Sequence, residues 1–177
     1  VHISFPGNNH DLTGNFNFRC FSILAERFPA YQFIFLFDKP VPPGIKTTAN
    51  TKIIQVSPAI RNNLLHHFWY NFKLPAFIKK YNAAFFTGNG PVCSLRTAIS
   101  QCIIVNDTSF LDKGNGYAAG EARYLKKHFK KFVEKSTVVA ATSQHVLNTI
   151  TRICPDSIGK VQMIGRGLPA KTHLPDH

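Results

Sequence analysis

Asn106 and Asp107 close the apolar run Ile103-Ile104-Val105. A carboxylate at the end of a buried strand lies in the crevice beyond a sheet, where it can accept hydrogen bonds from sugar hydroxyls. It can equally cap the loop that follows it. Arg96 comes after Cys93-Ser94-Leu95 and either clamps an anionic group or forms a structural ion pair. Gly88-Asn89-Gly90 also follows a candidate strand. A dinucleotide fingerprint needs a third glycine three residues on, where Cys93 stands, so no nicotinamide cofactor is expected. The chain has neither a GxxxxGK[ST] phosphate loop nor a GxSxG nucleophile elbow. His66 and His67 are adjacent. On a helix they point about 100° apart and cannot share a metal as an i, i+4 pair does. They read as surface or packing histidines, and no metal is expected. Trp69, Tyr70 and Phe72 beside them read as core or interface mass rather than a sugar platform.

The cysteines Cys20, Cys93, Cys102 and Cys154 form no CxxC pair and no zinc-ligand spacing. They read as free thiols of a reducing cytoplasm. Cys93 and Cys102 on neighbouring strands would leave room for one disulfide. The 177 residues include 21 Lys+Arg and 9 Asp+Glu, a formal charge of +12. Such a surplus favours an anionic partner: nucleic acid, anionic lipid or a phosphorylated substrate. Much of it sits in one element. Arg123, Lys126, Lys127, Lys130, Lys131 and Lys135 face only Glu121 and Glu134 over residues 121–135. Leu125, Phe129, Phe132 and Val133 recur there at helical spacing and predict one apolar stripe. Lys126, Lys127, Lys130 and Lys131 are then either a solvated outer face or a membrane-facing one. Nucleic acid is not expected as a partner. No recognition motif is present, and the aromatic residues sit in apolar runs rather than among the basic ones.

The elements that must position these residues alternate. Strands are predicted over 2–5, 32–37, 51–56, 83–87, 102–106, 137–142 and 160–164. Helices are predicted over 16–28, 57–70, about 74–81, 118–135 and 143–152, with Ser57-Pro58 and Ser143 as N-terminal caps. The strands are short and continuously apolar, as in a parallel sheet covered on both faces. The fold class is therefore α/β: a doubly wound, mainly parallel, Rossmann-like sheet with helices on both faces. Ligands of such sheets bind beyond the carboxyl ends of the strands. That directs attention to the loops at Gly7–Asn15, Asp38–Pro43, Gly88–Arg96, Asp107–Gly116, Ser143 and Gly165–Gly167. No apolar run approaches the ~20 residues of a membrane-spanning helix, and Val1–Asn15 lack the pattern of a signal peptide.

Several of these stretches, in this order, resemble bacterial glycosyltransferases of family 4 (group 1). They are Phe68-Trp69-Tyr70, Lys73-Leu74-Pro75 and Lys79-Lys80-Tyr81-Asn82-Ala83. Thr87-Gly88-Asn89-Gly90 leading into Cys93-Ser94-Leu95-Arg96-Thr97 is similar to that family too. Ile103-Ile104-Val105-Asn106-Asp107 resembles its apolar strand ending in His-Asp, with Asn106 in place of the histidine. Ala141-Thr142-Ser143-Gln144 resembles its Val-Ser-Glu helix start. Residues 160–167 resemble the strand ending in Asn-Gly that closes the N-terminal domain, with Arg166 in place of the asparagine. Gly14 stands where the family often has a glycine pair near the nucleotide phosphates. It permits close backbone approach, and Asn15 could open a helix whose N-terminus suits an anion.

The resemblance spans about Gln32 to Gly167. It implies one half of a GT-B fold, which is two Rossmann-like domains facing each other across a cleft. Residues 1–167 would be the N-terminal, acceptor-side domain. Residues 168–177 would be a linker or the start of a C-terminal part that holds the nucleotide-sugar. The implied activity is a retaining, metal-independent hexosyl transfer from a nucleotide-sugar, used as co-substrate and without a cofactor, to a hydroxyl of a glycan or lipid-linked acceptor. Asp107 and Asn106 take the catalytic positions. Gly14, Asn15, Asn89, Arg96 and Ser143 take the substrate-binding ones. The chain alone would be inactive without the donor domain. A cytoplasmic protein is expected, peripheral on the inner face of the membrane if the basic helix docks there. The rival expectation is a non-catalytic module that binds anionic membrane or glycan through that helix.

Overall fold

The computed structural model describes residues 1–3, 16–37, 40–41, 45, 47–57, 63–88, 90–112 and 117–165. Their order is β1 (His2–Ile3), α1 (Phe16–Arg27), β2 (Phe33–Phe37), β3 (Thr51–Gln55), α2 (Asn63–Phe68), a π-turn (Trp69–Lys73) and α3 (Leu74–Lys80). Then come β4 (Phe85–Thr87), β5 (Ser100–Val105), α4 (Ala119–Lys135), β6 (Val138–Ala141), α5 (Gln144–Ile153) and β7 (Val161–Met163). Short 3-10 turns cover Ser109–Leu111 and Pro155–Lys160. This is a Rossmann-like α/β fold.

Every strand pairing is parallel. β1, β2 and β3 form one sheet in that order, and β4, β5, β6 and β7 form a second. His2 lies opposite Leu36, Phe33 opposite Thr51, Thr87 opposite Cys102, and Val105 opposite Ala141. Strand residues Ile103, Val105, Val139 and Ala141 have no exposed surface, as parallel strands covered by helices require. Both sheets contribute to a main core, and Phe35 and Phe37 of β2 form a second, smaller cluster. Leu36 and Val56 of the first half join Trp69, Tyr70, Phe86, Phe129 and Ile150 of the second. Asn17 of α1 also donates through Nδ2 to the carbonyl of Gly88, 3.3 Å away, beyond β4.

One expectation is corrected. Instead of separate helices broken near Pro75, residues 63–80 form one continuous rod through the π-turn. Pro75 has no N–H to return to Asn71, and one wider turn absorbs that loss: the Leu74 amide donates five residues back, to the Trp69 carbonyl. The cysteines are free thiols, as expected. Cys93 and Cys102 are both free, and Cys93 Sγ instead approaches the Phe132 carbonyl at 3.5 Å. Burial pushes the Cys93 thiol up to about 12, so it stays protonated and inert. The other elements lie within two residues of their predicted bounds wherever they fall among the described residues. The helix start at Ser57-Pro58 lies partly outside them, and the domain boundary near Gly167 wholly so.

Candidate functional site

The polar site lies at the carboxyl ends of β4 and β5. A crevice of about 340 Å³ is lined there by His66, Gly90, Pro91, Val92, Asn106, Asp107, Tyr117, Glu121, Tyr124 and Leu125. Each wall has a local cause. β5 is an apolar run that ends at Val105, so Asn106 and Asp107 are the first polar residues delivered beyond the sheet. Gly88 permits the turn after β4. A Cβ there would collide with the Val92 carbonyl and crowd the Tyr70 hydroxyl. Gly90 turns with φ at 85°, a backbone state that glycine adopts without steric cost. Its carbonyl still accepts from the Ile104 amide, so the turn stays attached to β5.

Asp107 is the hub of the loop beyond β5. Its Oδ1 accepts from the Ser109 amide at 2.9 Å and from Ser109 Oγ at 2.6 Å. Its Oδ2 accepts from the Tyr117 hydroxyl at 2.8 Å. Loop capping and the crevice position therefore coexist in this residue. The Tyr117 hydroxyl is pushed well above its ordinary range, first by burial and then by its bond to the Asp107 carboxylate. It remains a donor at neutral pH. The Asn106 carbonyl accepts from Thr142 Oγ1 at 3.1 Å, which ties the ends of β5 and β6 together. Ser143 follows Thr142 and caps α5, its Oγ accepting from the Val146 amide at 3.3 Å.

Two crevice residues were not among the expected site residues: His66, which the sequence reads as a surface or packing histidine, and Tyr124. His66 of α2 packs its ring 4.8 Å from Tyr70 and 5.8 Å from Tyr124. Its Nδ1 is buried with no hydrogen-bond partner, and so is the Tyr124 hydroxyl. Burial, with His67 adding to it, lowers the His66 imidazole to about 4, so the ring is neutral at pH 7. Burial likewise raises Tyr124 to about 12. Both groups are uncharged hydrogen-bonding groups. Only packing between α2 and α4 brings them to the crevice, and neither residue sits in a motif that could have signalled it.

The remaining expected site residues are placed elsewhere. Arg96 is not part of the crevice wall. Its guanidinium stacks over the Phe72 ring at 4.5 Å, on the exposed side of the π-turn. Trp69 and Tyr70 are core, whereas Phe72 is half exposed and stacked on Phe68. Lys126, Lys127, Lys130 and Lys131 are all exposed, while Leu125, Phe129, Phe132 and Val133 are buried under α4. Lys126 Nζ donates to the Leu111 carbonyl at 3.0 Å, and Lys130 pairs with Glu134 at 3.8 Å. Gly14, Asn15 and Asn89 lie outside the described residues.

A larger cavity, about 520 Å³, opens at the amino ends of β2 and β4. Its walls are mostly Phe, Leu, Ile and Tyr side chains, and it contains none of the expected site residues. Among the described residues no group of three His, Cys, Asp or Glu could hold a metal ion. No helix among them is long and apolar enough to cross a membrane. Comparison with family models gives no match, and comparison with curated proteins gives none either.

Proposed function

We propose that this chain is the acceptor-side domain of a retaining glycosyltransferase, which moves a sugar from a nucleotide-sugar to an acceptor hydroxyl. The observation behind this reading is the position of Asn106 and Asp107. They stand in a crevice at the carboxyl ends of parallel strands, where doubly wound sheets bind ligands. The ordered resemblance from about Gln32 to Gly167 agrees with it.

In this reading the crevice holds the acceptor next to the reacting carbon of the donor. The acceptor oxygen gains a bond to the anomeric carbon and passes its proton to the departing diphosphate oxygen, whose own bond to that carbon breaks. Asp107 stays fixed throughout by Ser109 and Tyr117, so a hydroxyl meets a carboxylate that needs no reorganisation. Asn106 offers an amide that both donates and accepts. The diphosphate needs positive charge or helix N-termini, for which the glycosyltransferase resemblance assigns the C-terminal domain.

The test is transfer from nucleoside-diphosphate hexoses by the protein that carries this chain. We expect Asp107→Ala to lower kcat by about 100-fold or more. Tyr117→Phe, which loosens the same carboxylate without removing it, should cost far less. Equal losses in the two variants would make Asp107 a loop clamp only. A wild-type protein that transfers no sugar from any such donor would remove the reading.

A second reading rests on the exposed Lys126, Lys127, Lys130 and Lys131. A protein with this outer face could sit on anionic lipid, either as a peripheral transferase or as a non-catalytic module.

A further inference from the structure

The apolar cavity lies at the opposite ends of the strands from Asp107, and the transfer reading gives it no task. Its volume, about 520 Å³, is that of a small-molecule site. Leu36, Leu74 and Phe86 form its inner wall and are buried. Tyr31 and Phe85 also line it and are 67% and 49% exposed, so the space is open to a ligand from solvent. Water finds few hydrogen bonds against such walls. An apolar ligand that fills the space would also cover two large rings left wet beside it.

The rim carries charge of one sign. Lys52 reaches it from β3 and Lys80 from the end of α3. Their Nζ atoms lie 5.0 and 5.5 Å from the centre of the Tyr81 ring, which lines the cavity. Among the described residues neither lysine forms an ion pair, and no Asp or Glu lines the cavity. An ammonium has three donors, and a contact with a ring face leaves it able to bond an anion. Two cations from separate elements at the edge of an apolar space fit a ligand with an anionic head and an apolar tail. The head stays at the rim, because a carboxylate taken inside would lose its water.

We infer that this cavity binds a fatty acid, with the acyl chain between β2, β4 and α3 and the carboxylate at Lys52 and Lys80. The site does not rest on the glycosyl-transfer reading, and either can fail without the other.

The experiment is a calorimetric titration of the protein that carries this chain with octanoate, decanoate, dodecanoate and tetradecanoate, each below its micelle-forming concentration. Affinity should rise about fourfold per methylene and level off once the cavity is full. Adsorption on an open surface would keep rising with chain length. Dodecanol should bind about five- to tenfold more weakly than dodecanoate, and dodecyltrimethylammonium more weakly still.

Lys52→Gln combined with Lys80→Gln should weaken dodecanoate about five- to tenfold and leave dodecanol unchanged. Ala84→Trp places a large ring at an exposed edge of the cavity and should weaken every acyl probe about tenfold or more. Dodecanoate binding that survives Ala84→Trp unchanged would be adsorption to basic surface elsewhere, such as α4, and would overturn the inference. So would a lysine pair whose removal alters dodecanoate and dodecanol alike, or no binding of any of the four acids. Binding by residues 1–177 that disappears when further chain stands ahead of Val1, itself a wall residue, would give the space to that chain and overturn the inference too. Should Ala84→Trp fail to fold, the exposed lysine pair and the levelling with chain length decide the question.

Discussion

Buried imidazoles make stability respond to acid. Burial, with His66 and the terminal amine adding to it, lowers His2 from 6.5 to about 3. His66 falls from 6.5 to about 4. His2 Nδ1 and the Tyr70 hydroxyl share a buried hydrogen bond of 2.9 Å. The sign follows from proton counting. Below about pH 6.5 the unfolded chain binds protons at both histidines and the folded chain does not. The histidine share of stability is therefore complete above that pH and is lost as pH drops toward 4. The buried terminal amine, lowered from 8.0 to about 5, adds a loss that starts near pH 8. Each pH unit inside the window costs about 1.4 kcal/mol per histidine. Chemical denaturation between pH 7 and pH 5 should show this slope, and His66→Phe should remove one histidine's share of it. An unchanged slope in that variant would mean that His66 titrates normally in the fold.

Glycine at 88 is equally exacting. Gly88→Ala places a methyl against the Val92 carbonyl and the Tyr70 ring, with backbone on one side and a fully buried aromatic on the other. A cost of about 1–3 kcal/mol is expected, read as a lower melting temperature.

At this scale part of the site is legible in the sequence. Asn106 and Asp107 declare themselves because a run of apolar residues ends at them, which is a purely local signal. His66 and Tyr124 do not. Their nearness is a product of helix packing 58 positions apart in the chain, and a histidine pair on a helix looks the same whether or not a crevice lies beside it. Arg96 fails for a related reason. A turn can be read from Cys93-Ser94-Leu95, but the direction of a long side chain is set by whichever face it finds, here Phe72.

At the scale of elements, the π-turn does positioning work that a straight helix would not. It holds Asn71 in the core, where Oδ1 accepts the Leu95 amide at 2.9 Å and Nδ2 donates to the His67 carbonyl at 2.9 Å. Gln101 grips the same loop from β5. Its Oε1 accepts from the Ser94 amide, and its Nε2 donates to the Ser94 carbonyl. The stretch between β4 and β5 is thus pinned at Ser94 and Leu95 by the amide side chains of Gln101 and Asn71, two residues beyond the crevice wall at Gly90–Val92. Asn71→Leu leaves the Leu95 amide without its partner and should cost about 1–3 kcal/mol. Hydrogen exchange at Leu95 should quicken, while exchange in β6 stays as it was. Faster exchange throughout the sheet would show that Asn71 supports the whole core instead. Elements were the most legible level of the sequence. Strand and helix periods are properties of a few neighbouring residues, and α4 was evident from its stripe. The π-turn was hidden because the pattern reads as two helices, 57–70 and about 74–81, and their continuity depends on a hydrogen bond five residues back.

At the scale of the whole molecule, charge is partitioned. The acids Asp107 and Glu121 lie in the crevice, and an outer face of exposed lysines lies on α4, the same helix that contributes Glu121 and Tyr124. The apolar side of α4 is already committed to the core, so a membrane could meet this helix only through its lysines. Adhesion would then be electrostatic, about 1 kcal/mol per lysine near an anionic surface. It would fade with salt, because the screening length is about 10 Å at 0.1 M and about 3 Å at 1 M. Changing Lys126, Lys127, Lys130 and Lys131 together to Glu should abolish sedimentation with phosphatidylserine vesicles at low salt. Acceptor binding in the crevice should stay the same, because none of the four lines it. The wild type should release from those vesicles as salt rises, and it should ignore phosphatidylcholine vesicles at any salt. Sedimentation that survives both the charge reversal and high salt would point away from α4, to an apolar contact elsewhere on the molecule. A loss of acceptor binding in the reversed variant would mean that the two faces of α4 are coupled, and the separation of a membrane-facing side from a crevice side would have to be given up.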